Sequence, residues 1–225
     1  MEKKDKKRSK IIVDLIQNNI NVEQALQILD LLLEDIHDKK VKEWVNCEIN
    51  GYEKSYPLPK YRMANANITG IVKTYTTIIR NYNIPLPLEE TKQLCNIEIR
   101  DGISEIVQMS VAEKESESHS LHLPINIAYI NSIACINGEV THANRQLSMY
   151  TYTNILGNLK SKVLSILKEL EKNYGNLDEY YIDFQNDKTE KELTKNIINI
   201  IFDSSVKIGD RNKIDKSIIG NDNNE

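Results

Sequence analysis

The chain predicts an α+β fold with an N-terminal three-helix segment, a central, mostly antiparallel sheet, a long C-terminal helix and a short Gly/Asp-rich tail. Three observations carry that reading. Apolar residues recur at three-to-four spacing through the first fifty positions and again from Ile155 to Leu170, the signature of amphipathic helices. Residues 62–73 and 75–84 are rich in Thr, Ile, Val and Tyr, which suit a pleated, half-buried surface. With 225 residues, 40% of them hydrophobic, the chain is long enough to bury a core without a disulfide or metal staple.

Taken in order, Ile11, Ile12, Leu15 and Ile16 share a stripe of the first helix, whose end Asn18 and Asn19 weaken. Asn21 opens the second helix as its N-cap, with Gln24 at the capping-box position. Its core face is Leu26, Leu29, Leu33 and Ile36, widened by Leu31 and Leu32. The third helix carries Val41, Trp44, Val45, Glu48 and Ile49 and stops at Gly51, which adopts a left-handed conformation without a Cβ penalty. A loop with Pro57 and Pro59 leads into the two strands. Pro85 and Pro87 close that pair and introduce a short helix over 88–94, then a short strand over 96–100. Asp101 caps a helix to about residue 109, with Ile103, Ile106 and Val107 inward. Residues 113–120 read as a polar loop, 121–136 fit either period, and 139–150 read as a strand. The clearest element is a helix over 153–173, with Ile155, Leu159, Val163, Ile166, Leu167 and Leu170 on one face and a stop near Gly175. Residues 177–188 are polar and read as a linker. A further helix over 189–202 follows, with Leu193, Ile197, Ile198 and Ile201 on its apolar side.

A net charge of −4 and a pI near 5.7 argue against a dedicated nucleic-acid or anionic-membrane binder. The basic start (Lys3, Lys4, Lys6, Lys7, Arg8, Lys10) lacks aromatic interleaving and reads as a solvated end. Cys47, Cys95 and Cys135 are odd in number and widely spaced, neither a disulfide framework nor a zinc knuckle. The apolar stretch 11–16 is short and holds Asp14, unlike a secretory signal, and runs such as 197–202 fall far short of the roughly 20 residues of a membrane span. A cytoplasmic protein without a membrane span is expected.

No Gly-x-Ser-x-Gly, Walker A or Gly-x-Gly-x-x-Gly motif is present, so hydrolase, NTPase and dinucleotide readings lack their signatures. His119 and His122 with Cys135 are conceivable zinc donors, but nothing between them makes them converge, and neither a metal nor a cofactor is expected. The catalytic candidates are His142 and Arg145. On a strand His142 shares a face with Asn144 while Arg145 takes the other. With a carboxylate such as Asp101 or Glu105, His142 would serve as a general base and Arg145 would hold a phosphate. The plainer reading is the polar face of an edge strand. Tyr174, Tyr180 and Tyr181 mark a contact surface or pack the linker onto the sheet. In the tail, residues 206–212 are echoed by 217–223, each unit an apolar pair, Gly, then Asp or Asn. Two such units bury no core by themselves, so the tail is either an oligomerisation element, with Ile208, Gly209, Asp210, Asn212, Ile219 and Gly220 as its contacts, or disordered.

One segment is more specific. Trp44-Val45-Asn46-Cys47-Glu48-Ile49-Asn50-Gly51-Tyr52, followed by Leu58-Pro59-Lys60-Tyr61-Arg62, resembles the AbiTii domain of bacterial abortive-infection proteins. Arg100-Asp101-Gly102-Ile103, the 154–171 helix and the Gly209–Asn212 tail look similar too, whereas Lys160 stands where a Val-Arg pair is expected. The Ile and Asn content, about a quarter of the chain, suits an AT-rich bacterial gene. The resemblance implies defence against phage by harming or arresting the infected cell, and implies no particular reaction. The motif itself reads as architecture. Trp44 buries against the first helices, Gly51 and Tyr52 end the third, Pro59 directs the chain into the sheet, and Glu48 pairs with Arg62 across the turn. The expected division is 9–175 as the AbiTii-like α+β domain, 176–188 as linker, 189–203 as a short helix and 204–225 as the tail. Two functions follow: a non-enzymatic, self-associating sensor or scaffold, or a small toxic effector enzyme acting on a phosphodiester or nucleotide. The expected partners are further copies of the chain and a phage-derived trigger or defence-system partner protein, not nucleic acid.

Overall fold

Capping chemistry sets the N-terminal helices. In the computed structural model, which describes residues 7–115, 120–148, 150–184 and 187–202, helices α1 (Lys10–Gln17), α2 (Val22–Leu32) and α3 (Lys39–Asn50) come first. Asn18 ends α1 in a left-handed turn with φ +60. Ile11, Ile12 and Leu15 are buried, but Ile16 is 54% exposed. At 100° per residue, it stands roughly 90° from the centre of the stripe the other three define. The Asn21 side chain accepts from the Gln24 backbone N–H at 2.8 Å, and Gln24 Oε1 accepts from the Asn21 N–H at 3.0 Å, the expected capping box. Helix α2 stops at Leu32, yet Leu33 and Ile36 beyond it remain buried, while Leu31 points to solvent. Asp38 caps α3 by accepting from the Val41 N–H.

A 3-10 turn (Lys60–Arg62) leads into β1 (Met63–Lys73), then β2 (Ile78–Asn83), α4 (Leu88–Cys95), β3 (Asn96–Glu98), α5 (Ile103–Glu115), β4 (Ser120–Pro124), α6 (Ile127–Ile133), β5 (Glu139–Ser148), α7 (Thr151–Tyr174) and α8 (Asp187–Phe202). The strand order is β2-β1-β5-β4, with β3 paired to the start of β1, and every pairing is antiparallel. The α+β expectation therefore holds, with three refinements. Helix α5 runs past residue 109 to Glu115. The stretch 121–136, open between periods, contains both a strand and a helix, the latter capped by Asn126. The stretch 177–184, expected as linker, is docked: Leu177, Ile182 and Phe184 are buried among the helices, and Phe184 meets Tyr174 edge-on at 5.2 Å. Its three apolar residues follow neither period, so its polar composition hid them.

The sheet presents one face to the helices. Ala64, Ala66, Ile68 and Val72 of β1 point there, with Ala143 and Leu147 of β5. Two apolar clusters lie along this face. Ala64, Ala66 and Leu147 pack with Ile106, Tyr152 and Ile155; Ile68, Val72, Val140 and Ala143 pack with Ile84, Leu94 and Ile130. The largest cluster lies between α1, α2, α3, α7 and α8, and includes the expected α7 stripe from Leu159 to Leu170. The tail, 204–225, lies outside the described residues.

Candidate functional site

The motif residues converge where α3, the 3-10 turn and the start of α5 meet. Pro59 at φ −60 starts the turn and its carbonyl accepts from the Arg62 N–H, which aims the Arg62 side chain back at α3. There the guanidinium is fully buried and pairs through Nη2 with Glu48 Oε2, as its spacing predicted. Nη1 donates to the Asp101 carbonyl at 2.7 Å, and the Tyr52 ring lies 5.3 Å from the guanidinium carbon. Glu48 Oε1 accepts from both Tyr52 and Tyr61 hydroxyls, and the Tyr61 oxygen in turn accepts from Trp44 Nε1 at 3.1 Å. Burial raises the pKa of both tyrosines, and the neighbouring Glu48 charge raises it further, so both stay protonated donors. For Arg62, burial pulls downward, but Glu48 more than offsets it and holds the guanidinium above its ordinary value.

Two glycines complete the centre. Gly51 has φ +95, positive as expected, but ψ 163 makes it extended rather than left-handed helical. That conformation brings the Tyr52 N–H onto the Arg100 carbonyl at 2.7 Å. A Cβ on Gly51 would stand 3.0 Å from that carbonyl, and one on Gly102 would stand 2.6 Å from the Ile49 carbonyl. Backbone therefore packs directly on backbone where α3 ends and α5 begins. Glu48, Arg62 and Trp44 have no exposed surface, so the arrangement can brace helices against the sheet but cannot touch a ligand from solvent.

The second set of candidates is divided by the sheet. His142 stands opposite Ile71 and Arg145 opposite Ile68 on β1, so they point to opposite faces. His142 shares its open face with Asn144, whose amide nitrogen lies 3.0 Å from Nε2. Arg145 points to the helix-covered face.

A comparison with family models matches residues 9–197 to AbiTii. The chain belongs to the AbiTii family. Membership carries the coarse role with it, abortive infection in defence against phage. No curated protein and no solved structure matches the chain. The AbiTii match runs past the motif and the long helix into α8, in keeping with the way α8 packs against α7. Among the described residues no helix is long and apolar enough to cross a membrane. Nor do three or more His, Cys, Asp or Glu residues among them form a group that could hold a metal. His119 lies outside the described residues.

Sequence reading missed one constellation of this AbiTii chain. His37 stood alone in sequence, but the fold sets it against Glu190 of α8, 153 residues away. One carboxylate oxygen of Glu190 accepts the His37 backbone N–H at 2.6 Å and the other meets Nδ1 at 2.9 Å. Glu190 is buried, while the imidazole is 77% exposed at the edge of an open cleft of about 500 Å³ lined also by Lys191, Thr194 and Lys195. The bond's direct effect is to pin α8 to the α2–α3 loop. Its one sequence signal was Glu190 itself, a carboxylate that ends up on the inward face of an amphipathic helix.

Proposed function

We propose that this AbiTii protein acts in abortive infection as a non-enzymatic sensor or scaffold that associates with further copies of itself in the cytoplasm. The observation that carries this is the closed Trp44–Glu48–Arg62 centre. The most specific motif of the chain spends its charges on joining helices to sheet. The separation of His142 and Arg145 by the sheet weighs against the alternative, an effector enzyme acting on a phosphodiester or nucleotide with those two residues.

Support for self-association comes from β2. It is the edge of the sheet, its backbone edge is unpaired among the described residues, and Ile78 and Ile79 are exposed with Tyr75 beside them fully open to solvent. Ahead of Arg80 and the irregular register at Asn81, the apolar Ile78–Ile79 end of this edge can template pairing with another chain. The repeated units of residues 204–225, with Ile208, Gly209, Asp210, Asn212, Ile219 and Gly220, are proposed as a second contact between copies. A phage-derived trigger or a partner protein of the defence system would act on that assembly.

The experiment is a phage challenge of cells expressing soluble wild type, Ile78→Lys, His142→Ala and a truncation after Lys207. The reading expects Ile78→Lys and the truncation to lose protection while His142→Ala keeps it. A folded His142→Ala that fails to protect transfers the account to the enzyme.

A further inference from the structure

The cleft beside His37 is more elaborate than a latch for α8 requires. The bond from the His37 backbone N–H to Glu190 already ties the α2–α3 loop to α8. The second carboxylate oxygen goes further and fixes Nδ1 of a ring that is 77% exposed. An exposed ring adds little to stability, so what the buried carboxylate gains here is a fixed wall for the cleft. The facing wall is one side of α8. Lys191, Thr194, Lys195 and Ile198 fall at i, i+3, i+4 and i+7, so they share a helix face, and all four line the cleft. Its volume, about 500 Å³, lies within the range of sites that hold small molecules.

Packing does not account for the polar groups on that face. Thr194 is only 9% exposed, yet its hydroxyl has no hydrogen bond among the described residues and keeps its remaining surface on the cleft. Hydroxyls this deeply placed ordinarily find a partner. Lys191 and Lys195 stand one turn apart, a spacing at which like charges repel. Neither has an ion pair among the described residues, where the lysines that do are Lys92 with Glu89 and Lys172 with Glu169. The carboxylate beside them, Glu190, is turned inward onto His37. Asp38, on the opposite wall, caps α3 by accepting from the Val41 N–H at 3.0 Å. Both carboxylates of the cleft thus already answer N–H donors, while two ammonium groups and a hydroxyl have no acceptor. Ile198, half-buried, adds an apolar surface next to them.

We propose that this cleft binds a small molecule that joins an anionic group, phosphate or carboxylate, to a flat apolar body. Lys191 and Lys195 take the anion, the Thr194 hydroxyl donates to it, and the body lies on Ile198 against the imidazole that Glu190 holds in place. Hydrogen bonds between ammonium groups and an oxyanion are charge-assisted, and the apolar wall excludes water from one side of them. The site goes beyond the self-association reading and does not depend on it.

The test titrates the full chain into para-fluorophenyl phosphate, para-fluorobenzoate or the neutral para-fluorobenzyl alcohol, and reads binding from the fluorine NMR line of each probe. Wild type is expected to bind at least one anion saturably and the alcohol about tenfold or more weakly, since a hydrogen bond to a charged group is worth roughly that factor. The anion bound more tightly names the group recognised. Lys191→Gln/Lys195→Gln should lose about tenfold or more by the same reasoning. Thr194→Val, which keeps the shape and removes the hydroxyl, and His37→Ala, which removes the wall, should each weaken binding. Lys73→Gln/Lys92→Gln, which removes two exposed charges from β1 and α4, should leave it unchanged. No saturable binding of either anion, equal binding of the alcohol, undiminished binding in any of the three cleft variants, or an equal loss in the β1–α4 control overturns the proposal. Probe binding is read whatever the oligomeric state, so a failure here and a failure of self-association are separate results.

Discussion

Replacing Glu48 by Gln changes one atom type at a site with no exposed surface. The amide keeps the shape and leaves an oxygen to accept from Tyr52 and Tyr61, but Arg62 loses its counter-charge. Arg62 stays buried, with its Nη1 bond to the Asp101 carbonyl as its remaining direct polar contact and the Tyr52 ring beneath it. Breaking a buried pair by removing one partner costs about 3–5 kcal/mol, chiefly the penalty of the stranded charge. Set against a total stability of about 5–15 kcal/mol, that is a large fraction. For a chain of this size it corresponds to a fall in Tm of roughly 6–20 °C. The assay is urea and thermal unfolding followed by circular dichroism, on Glu48→Gln, Arg62→Met and the double variant. The double variant should cost well under the sum of the singles, since removing both charges strands neither. If Glu48→Gln lies within about 1 kcal/mol of wild type, or the two singles simply add, the centre does not brace the fold as argued.

Further outcomes follow from the same geometry. Gly102→Ala would drive a Cβ to 2.6 Å from the Ile49 carbonyl, and is expected to cost about 1–3 kcal/mol or more by chemical denaturation. Gly157→Ala, inside α7 with nothing within 4 Å of the new Cβ, should instead stabilise by up to about 1 kcal/mol. Glu171 on α7 accepts from the Ser9 N–H at 2.6 Å, from the Ser9 hydroxyl at 2.7 Å and from Arg8. Burial alone would raise its pKa, but these bonds hold the carboxyl below its ordinary 4.5. The unfolded chain thus takes the proton first, so this stabilisation is present above pH 4.5 and is lost as pH falls through the lower folded value. The protection factors of α1 amides, taken relative to the intrinsic exchange rate at each pH, should fall over that acid range in wild type and show no such pH step in Glu171→Gln. Glu190→Ala strands the His37 N–H and frees α8, for about 1–3 kcal/mol, whereas His37→Ala removes a largely exposed ring and should cost less in the same urea titration.

Much of this architecture is legible where the cause is local. The Asn21–Gln24 capping box, the α7 stripe and the β1–β2 pair follow from residues a few positions apart, and the structure contains each. The Glu48–Arg62 pair was legible too, because the helix stop at Gly51 and Pro59 leave few ways for the chain to return. Tyr61 was visible in the motif, but its place between Trp44 and Glu48 was not, since a hydroxyl carries no spacing rule. Gly102 is required by the Ile49 carbonyl of another element, so nothing beside it in sequence announces the close approach. His37 and Glu190 are too far apart for any periodicity to join them. Leu177, Ile182 and Phe184 show the converse, with tertiary burial overriding a stretch whose composition read as solvent-exposed.

The central claim, an AbiTii scaffold that works by associating with itself, is tested most directly by the molar mass of the purified full chain in solution, measured by light scattering over a range of concentrations. Self-association predicts a mass that reaches at least twice 25.9 kDa and that falls towards 25.9 kDa in Ile78→Lys. A wild-type protein that remains at 25.9 kDa throughout contradicts it.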